Sequence, residues 1–349
     1  MRAIASDCSR RRRRKAWRPI ARGALAAIAI WTSIALAGCG RQSTLSPHSP
    51  QTHQIALLWW WMLGVATIVF LGAVAMLGIA WWRRTTPGLP FFGEREDISQ
   101  GLVILFGIGI PLVVLTALFG VANVYVIGHT AAPNPKTTSM TIDVIGHQWW
   151  WEVRYPGTQA VTANEIHIPT NTRVNLVAES ADVIHSFWIP QLAGKMDAIP
   201  NRNNYLWMDP REPGVYFGNC AEYCGTQHAN MMLRVIAHPS GDFDKWAAQQ
   251  QKAPEQDARA ATGKASFESL SCVNCHNAGG YSSETKFGPD LTHLMSRQTI
   301  GSGVLTNTHE NLRRWVNDPQ EAKPGCFMPS MKLTGQELDQ VVAYLETLK

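Results

Sequence analysis

Two stretches, Ile55 to Trp82 and Gly101 to Gly128, are predominantly apolar and contain no charged residue. Each exceeds the roughly 20 residues a helix needs to cross a bilayer, which predicts two transmembrane helices over residues 55–82 and 101–128. Tryptophans gather at both ends of the first, Trp59, Trp60 and Trp61 at one and Trp81 and Trp82 at the other, as bilayer interfaces favour. Arg83 and Arg84 close this span. By the positive-inside rule they put the connecting loop in the cytoplasm, so both outer ends of the hairpin, and everything after about residue 129, face the opposite side.

After the proline-rich joint HTAAPNPK the texture changes to alternation of apolar and polar positions. MTIDVIGHQWWWEVRY, NEIHIPTNTRVNLVAES, NYLWMDP, GVYFGNC and MLRVIAH read as short strands between Asn, Pro and Gly turns, which predicts a β-sandwich over residues 137–240. The polar stretch AAQQQKAPEQDARAATG reads as a linker with some helix, bounded at residues 241–261. From residue 262 to 349 the pattern is helical, and in the closing LTGQELDQVVAYLETLK the residues Leu338, Val341, Val342 and Leu345 fall on one face. The expected fold class is therefore multidomain: a transmembrane α-helical hairpin, a β-sandwich and an all-α domain. No internal repeat is present.

Charge changes this picture only at the N-terminus. The formal charge is +5, but residues 1–22 hold nine Lys/Arg against Asp7 alone. The basic excess belongs to the leader and implies no nucleic-acid partner. A basic segment followed by GALAAIAIWTSIALAG has the outline of an export signal. It ends in LAGC, which resembles the lipobox of bacterial lipoproteins. Residues 1–38 are then a lipoprotein-type signal peptide, and Cys39, heading the segment 39–128, is a lipid-modified anchor in the membrane.

In NCAEYCGTQHANMML, Cys220 and Cys224 stand four apart, with His228 four further on and Met231 three beyond. Zinc would want four N/S ligands in a closed tetrahedron, commonly with tighter cysteine spacing. An exported domain also permits a disulfide. Thiolate, thioether and imidazole together on a β-sandwich favour copper, and a second thiolate allows two sulfurs to bridge two coppers. SADVIHSFWIP supplies a distant imidazole, His185.

DVIHSFWIP, MDAIPNR and CAEYCGTQHANM resemble subunit II of haem-copper cytochrome c oxidases over roughly residues 50–240. The resemblance implies a cupredoxin domain with a binuclear copper centre, CuA, held by His185, Cys220, Glu222, Cys224, His228 and Met231. Glu222 would lend its backbone carbonyl to copper and its carboxylate to a magnesium shared with subunit I. GHQWWWEVRY resembles the aromatic stretch of that family, and Trp149 matches the tryptophan through which electrons arrive; the plainer reading of any one of these tryptophans is core packing.

Beyond the sandwich, CVNCH is the c-type haem attachment signature, with Cys272 and Cys275 for the vinyl groups and His276 for the iron. The opposite axial ligand should be a thioether, which raises the potential. Met328 in CFMPSMKLTGQEL sits where small cytochromes c place their ligand; Met331 is the runner-up and Met295 the third choice. FGPDLTHLMSR resembles the loop of such domains that packs on the haem. Cys326 is left without a role.

The whole chain is similar to subunit II of caa-type oxidases, which carry a fused cytochrome c domain. That resemblance implies a multi-pass protein of the bacterial inner membrane with its copper and haem domains on the periplasmic face. It implies subunits I and III as partners, subunit I holding haem a, haem a3 and CuB, and an external cytochrome c or similar carrier as electron donor. Many such subunits have a Glu seven residues before the proline of the second span; counting back from Pro111 gives Ile104, so no proton-uptake residue is assigned. The competing reading is a subunit of another respiratory reductase, such as a nitric oxide reductase, or a membrane-tethered carrier. Intact Cys220 and Cys224 argue against quinol as donor.

Overall fold

The computed structural model describes residues 40–84, 96–131, 138–158, 160–254, 260–279 and 287–349. Cys39, the leader and the loop between the spans lie outside the described residues. The first span is one helix, Pro50–Arg84. It starts before the apolar run because its first turn belongs to the sandwich: Ser49, Gln51 and Thr52 are buried. There Ser49 Oγ donates to the Leu192 carbonyl at 2.5 Å and Thr52 Oγ1 to that of Gln191 at 2.9 Å. The second span runs through Glu96–Ile104, Ile110–Val121 and Gly128–Thr130, joined by π-helical turns at Leu105–Gly109 and Ala122–Ile127. Its end is also tied to the sandwich side, with Gln51 Nε2 donating to the Thr130 carbonyl and Trp207 Nε1 to that of Ala131, both at 3.2 Å. Most apolar side chains along both spans, such as Ile68, Leu77, Leu112 and Phe119, are exposed, the surface a lipid or membrane-protein environment would cover.

The sandwich divides two of the expected strands. MTIDVIGHQWWWEVRY is a hairpin, β1 (Met140–His147) pairing antiparallel with β2 (Trp150–Tyr155) from His147↔Trp150 to Asp143↔Arg154. NEIHIPTNTRVNLVAES yields β4 (Glu165–Pro169) in one sheet and β5 (Val174–Ser180) in the other. Asn171, at φ 54°, turns the chain between them, a left-handed conformation that asparagine tolerates. With β3 (Ala160–Ala163) and β8 (Asn204–Met208), one sheet has the order β3-β2-β1-β5-β8, in which β1 and β5 are parallel. The facing sheet, β4-β10-β9-β6-β7, is built with β10 (Met232–His238), β9 (Gly214–Cys220), β6 (His185–Trp188) and β7 (Met196–Ala198). Trp151, Ile166, Ile168, Leu176, Phe187 and Met208 are fully buried between the sheets, each worth roughly 1.5–3 kcal/mol of apolar burial.

At the start of the stretch read as a linker with some helix, the helix Ser240–Gln250 packs Phe243 and Ala247 onto the sandwich core. Its Trp246 stacks on His167 with ring centroids 4.1 Å apart at 4°. In the all-α domain, the helices Ala261–Ser269, His309–Asn317 and Gly335–Leu345 surround Phe267, Leu312, Leu338, Val341, Val342 and Leu345, so the predicted apolar face of the last helix is the buried one. A capping box between Thr334 and Glu337 starts that helix.

The two domains are joined by more than the chain. Glu165 is completely buried, and its Oε1 accepts the backbone N–H groups of Gln298 and Thr299 at 2.8 and 3.1 Å. Ser302 Oγ donates to Asn164 Oδ1 at 3.0 Å.

Candidate metal and haem sites

The end of β9, the start of β6 and the loop from β9 to β10 bring the six sandwich residues to one place. Cys220 is the last residue of β9 and His185 the first of β6. The two sulfurs are 3.8 Å apart, far beyond the ~2.05 Å of a disulfide. Around them lie the Glu222 carbonyl, 3.2 Å from Cys220 Sγ, His185 Nδ1, 4.0 Å from the same sulfur, and His228 Nδ1, 3.6 Å from Cys224 Sγ. Met231 Sδ is 3.8 Å from Cys224 Sγ. The other nitrogen of His185 lies 2.8 Å from Asp182 Oδ1, an arrangement that orients the ring and leaves Nδ1 free for a metal.

Electrostatics prepares the sulfurs for a cation. The contact with Cys224 and the His185 ring hold the Cys220 thiol well below the usual range, while the adjacent Cys220 sulfur pushes Cys224 up. Burial works against a charged His185, but Asp182 and Cys220 override it and its pKa is raised. Gly146 of β1 has a specific role: a Cβ there would lie 2.7 Å from the His185 ring, so the imidazole can lie across the sheet only over glycine. Sequence reasoning named neither Asp182 nor Gly146. Trp149 is buried beside the site, its Nε1 donating to the Cys224 carbonyl at 3.0 Å, and Gln148 Nε2 donates to the same oxygen at 2.7 Å. The Glu222 side chain is exposed. Two soft sulfurs flanked by imidazoles, a thioether and a carbonyl fit a copper pair better than a closed zinc tetrahedron.

In the helical domain Cys272–Asn274 forms a 3-10 turn after Ser271, which has φ 64°. His276 Nδ1 is 2.8 Å from the Pro289 carbonyl, a contact that orients the imidazole. Gly288 is needed here, since a Cβ would come within 2.4 Å of the His276 ring. Arg297, in the stretch expected to pack on haem, is buried; one guanidinium nitrogen donates to the Asp290 carbonyl while Nε has no partner among the described residues, a donor suited to the acidic edge of a haem. Gln320 braces the methionine loop: its Oε1 accepts from Gly325 N at 2.7 Å and its Nε2 donates to the carbonyls of Cys326 at 2.9 Å and Met328 at 2.8 Å. Met328 is half-buried in this loop and Met331 is more exposed, whereas Met295 packs on the helical core. The free thiols of Cys272 and Cys275, His276, Gly288 and Arg297 together fit a covalently attached haem.

Comparison with known proteins gives the same division of the chain. Residues 159–238 match the family described as cytochrome C oxidase subunit II, periplasmic domain, and residues 260–349 match cytochrome c. A cytochrome c oxidase subunit 2 of Alkalihalophilus pseudofirmus is 32% identical over 326 residues, covering 90% of this chain and 94% of the relative. One from Bacillus sp. (strain PS3) is 32% identical over 275 residues, covering 73% and 76%. A crystal structure of the periplasmic domain of subunit II of cytochrome oxidase of Bradyrhizobium japonicum is 29% identical, covering 34% of this chain and 96% of its own, with a TM-score of 0.33.

Proposed function

The chain belongs to the cytochrome c oxidase subunit 2 family, and from that premise we propose that it is the electron-receiving subunit of a haem-copper terminal oxidase of the caa type. It sits in the bacterial inner membrane, its sandwich and helical domain on the periplasmic face, and docks through the hairpin on subunit I, with subunit III completing the complex. When bound, the haem and the copper pair each exchange one electron at a time, taking electrons from an external cytochrome c and handing them to haem a of subunit I, where oxygen reduction is coupled to proton translocation.

The observation that carries this reading is the pair of thiols 3.8 Å apart with imidazole, thioether and carbonyl donors around them. Cys220, Cys224, His185, His228, Met231 and the Glu222 carbonyl would hold the two coppers. Asp182 fixes the His185 ring, and burial of the sulfurs keeps water from competing for the metal. The exposed Glu222 carboxylate would face a magnesium at the junction with subunit I. Cys272 and Cys275 would hold the haem, His276 and Met328 its iron, and Trp149 would receive electrons on the copper side. Cys39 would carry lipid.

The test is metal and haem analysis of the detergent-solubilised complex. Two coppers and one covalent haem per copy of this chain are expected, with a near-infrared band and a mixed-valence electron spin resonance signal. Cys220→Ser should abolish both signals. Wild-type protein carrying zinc alone would overturn the assignment.

A further inference from the structure

The methionine loop of the helical domain does not merely lie near the copper-side residues; it is fastened to them. Lys323 is 3% exposed, and its Nζ reaches across the domain boundary to donate to the Trp149 carbonyl at 2.7 Å and, within its own domain, to that of Gly301 at 3.3 Å. Neither acceptor is a carboxylate, and an amine held in the interior on carbonyls is costly unless its N–H groups are all used. On the next residue, the Pro324 carbonyl accepts from Gln227 Nε2, and Gln227 is itself buried in the loop between Cys224 and His228. The fastened segment then places Phe327 on Trp149, ring centroids 4.9 Å apart at 41°. Phe327 is otherwise 69% exposed, an orientation that hydrophobic burial alone would not select.

We propose that Phe327 is the bridging residue for electron transfer between the haem and copper sites, and that Lys323 is the positioning residue that holds it there. The route is continuous: peptide bonds from Met328 to Phe327, a ring contact from Phe327 to Trp149, and one hydrogen bond from the Trp149 indole to the Cys224 carbonyl. Covalent bonds, ring contacts and hydrogen bonds carry electronic coupling better than an open gap of the same length. A single electron crosses; the iron passes from ferrous to ferric as the copper pair gains that electron, and no bond forms or breaks. Because the loop is fastened by buried groups, transfer needs no search by the helical domain, a stronger condition than tethering alone. The proposal rests on the electron-transfer reading above.

The experiment uses the intact complex in detergent. The haem is reduced by a flash-generated donor, and arrival at copper is followed in the near-infrared. Phe327→Leu should slow arrival at least tenfold with the spectra and potentials of both centres unchanged, and Phe327→Trp should restore it. Lys323→Met should slow it similarly and also accelerate amide hydrogen exchange in residues 224–228 and 324–328, a readout independent of turnover. Phe327→Leu transferring at the wild-type rate, or Lys323→Met leaving exchange unchanged, would overturn the bridge. A wild-type complex in which reduced haem never reduces copper would sink the functional reading itself.

Discussion

The sandwich and the helical domain hold their donors in different ways. In the sandwich, His185, Cys220, Cys224 and Met231 are all buried and belong to the apolar core or lie against it. They sit on strand ends or on a loop whose backbone is tied by Trp149 and Gln148. In the helical domain, Cys275 is exposed, and Cys272, His276 and Met328 are half-buried on loops, while the core is built elsewhere by Phe267, Leu312 and the last helix. A site whose ligands are core residues carries its own geometry. A site on loops needs its bound group to complete the packing, so folding and haem attachment should be coupled on one side far more than on the other.

The largest effect should therefore follow loss of the haem. Replacing Cys272 and Cys275 together with Ala removes the attachment points. Hydrogen exchange in Ala261–Ser269 and Gly335–Leu345 should then rise by about a hundredfold, the size of a linkage near 2.7 kcal/mol. Amides of β1 and β5 should change little. Equal acceleration in both domains would erase the distinction between self-supporting and group-dependent sites.

The second effect is confined to one loop. Met328→Ala should remove the sulfur-to-iron absorption band and lower the haem potential, while Met331→Ala, at a side chain 38% exposed, should leave both nearly intact. Gln320 braces the Met328 carbonyl directly, so Gln320→Ala should weaken the band without abolishing it. If Met331→Ala proves the more damaging, the ligand is Met331 and the bracing by Gln320 has another purpose.

What the sequence revealed divides along the same line as the physics. The spans, the Cys220 to Met231 spacing, CVNCH and the apolar face of the last helix are local patterns, and each reports one element's environment. The hairpin within MTIDVIGHQWWWEVRY was not legible, because Gly146 to Trp149 lacks a compact turn signature and the apolar character runs through it. Trp149 was singled out only through the family resemblance. Lys323 and Glu165 could not be found at all. Lys323 meets Trp149 across 174 positions and Glu165 meets Gln298 across 133, and contacts of that range leave no periodic trace. A lone lysine in a loop reads as a solvated charge until its burial is seen.

The smallest effect concerns that lysine and tests whether the junction between the two regions is a buried interior or a wet surface. Burial pushes Lys323 down to about 7, against the opposing pull of the Cys326 and Cys224 thiols. A neutral amine has two N–H groups, matching the two carbonyls it meets. In the unfolded chain a lysine keeps its proton to about 10.4. Between these values the unfolded state binds more protons than the folded one, so stability should rise with pH, and below about 7 the slope should vanish because both states are protonated. The slope is at most ~1.4 kcal/mol per pH unit. From pH 7.5 to 9 the helical domain of the wild type should gain up to about 2 kcal/mol relative to Lys323→Met, read as the difference in unfolding midpoints between the two proteins. Parallel pH profiles would mean that water reaches the amine and that the junction opens in solution. A steeper wild-type profile would mean that the lysine stays enclosed against Trp149.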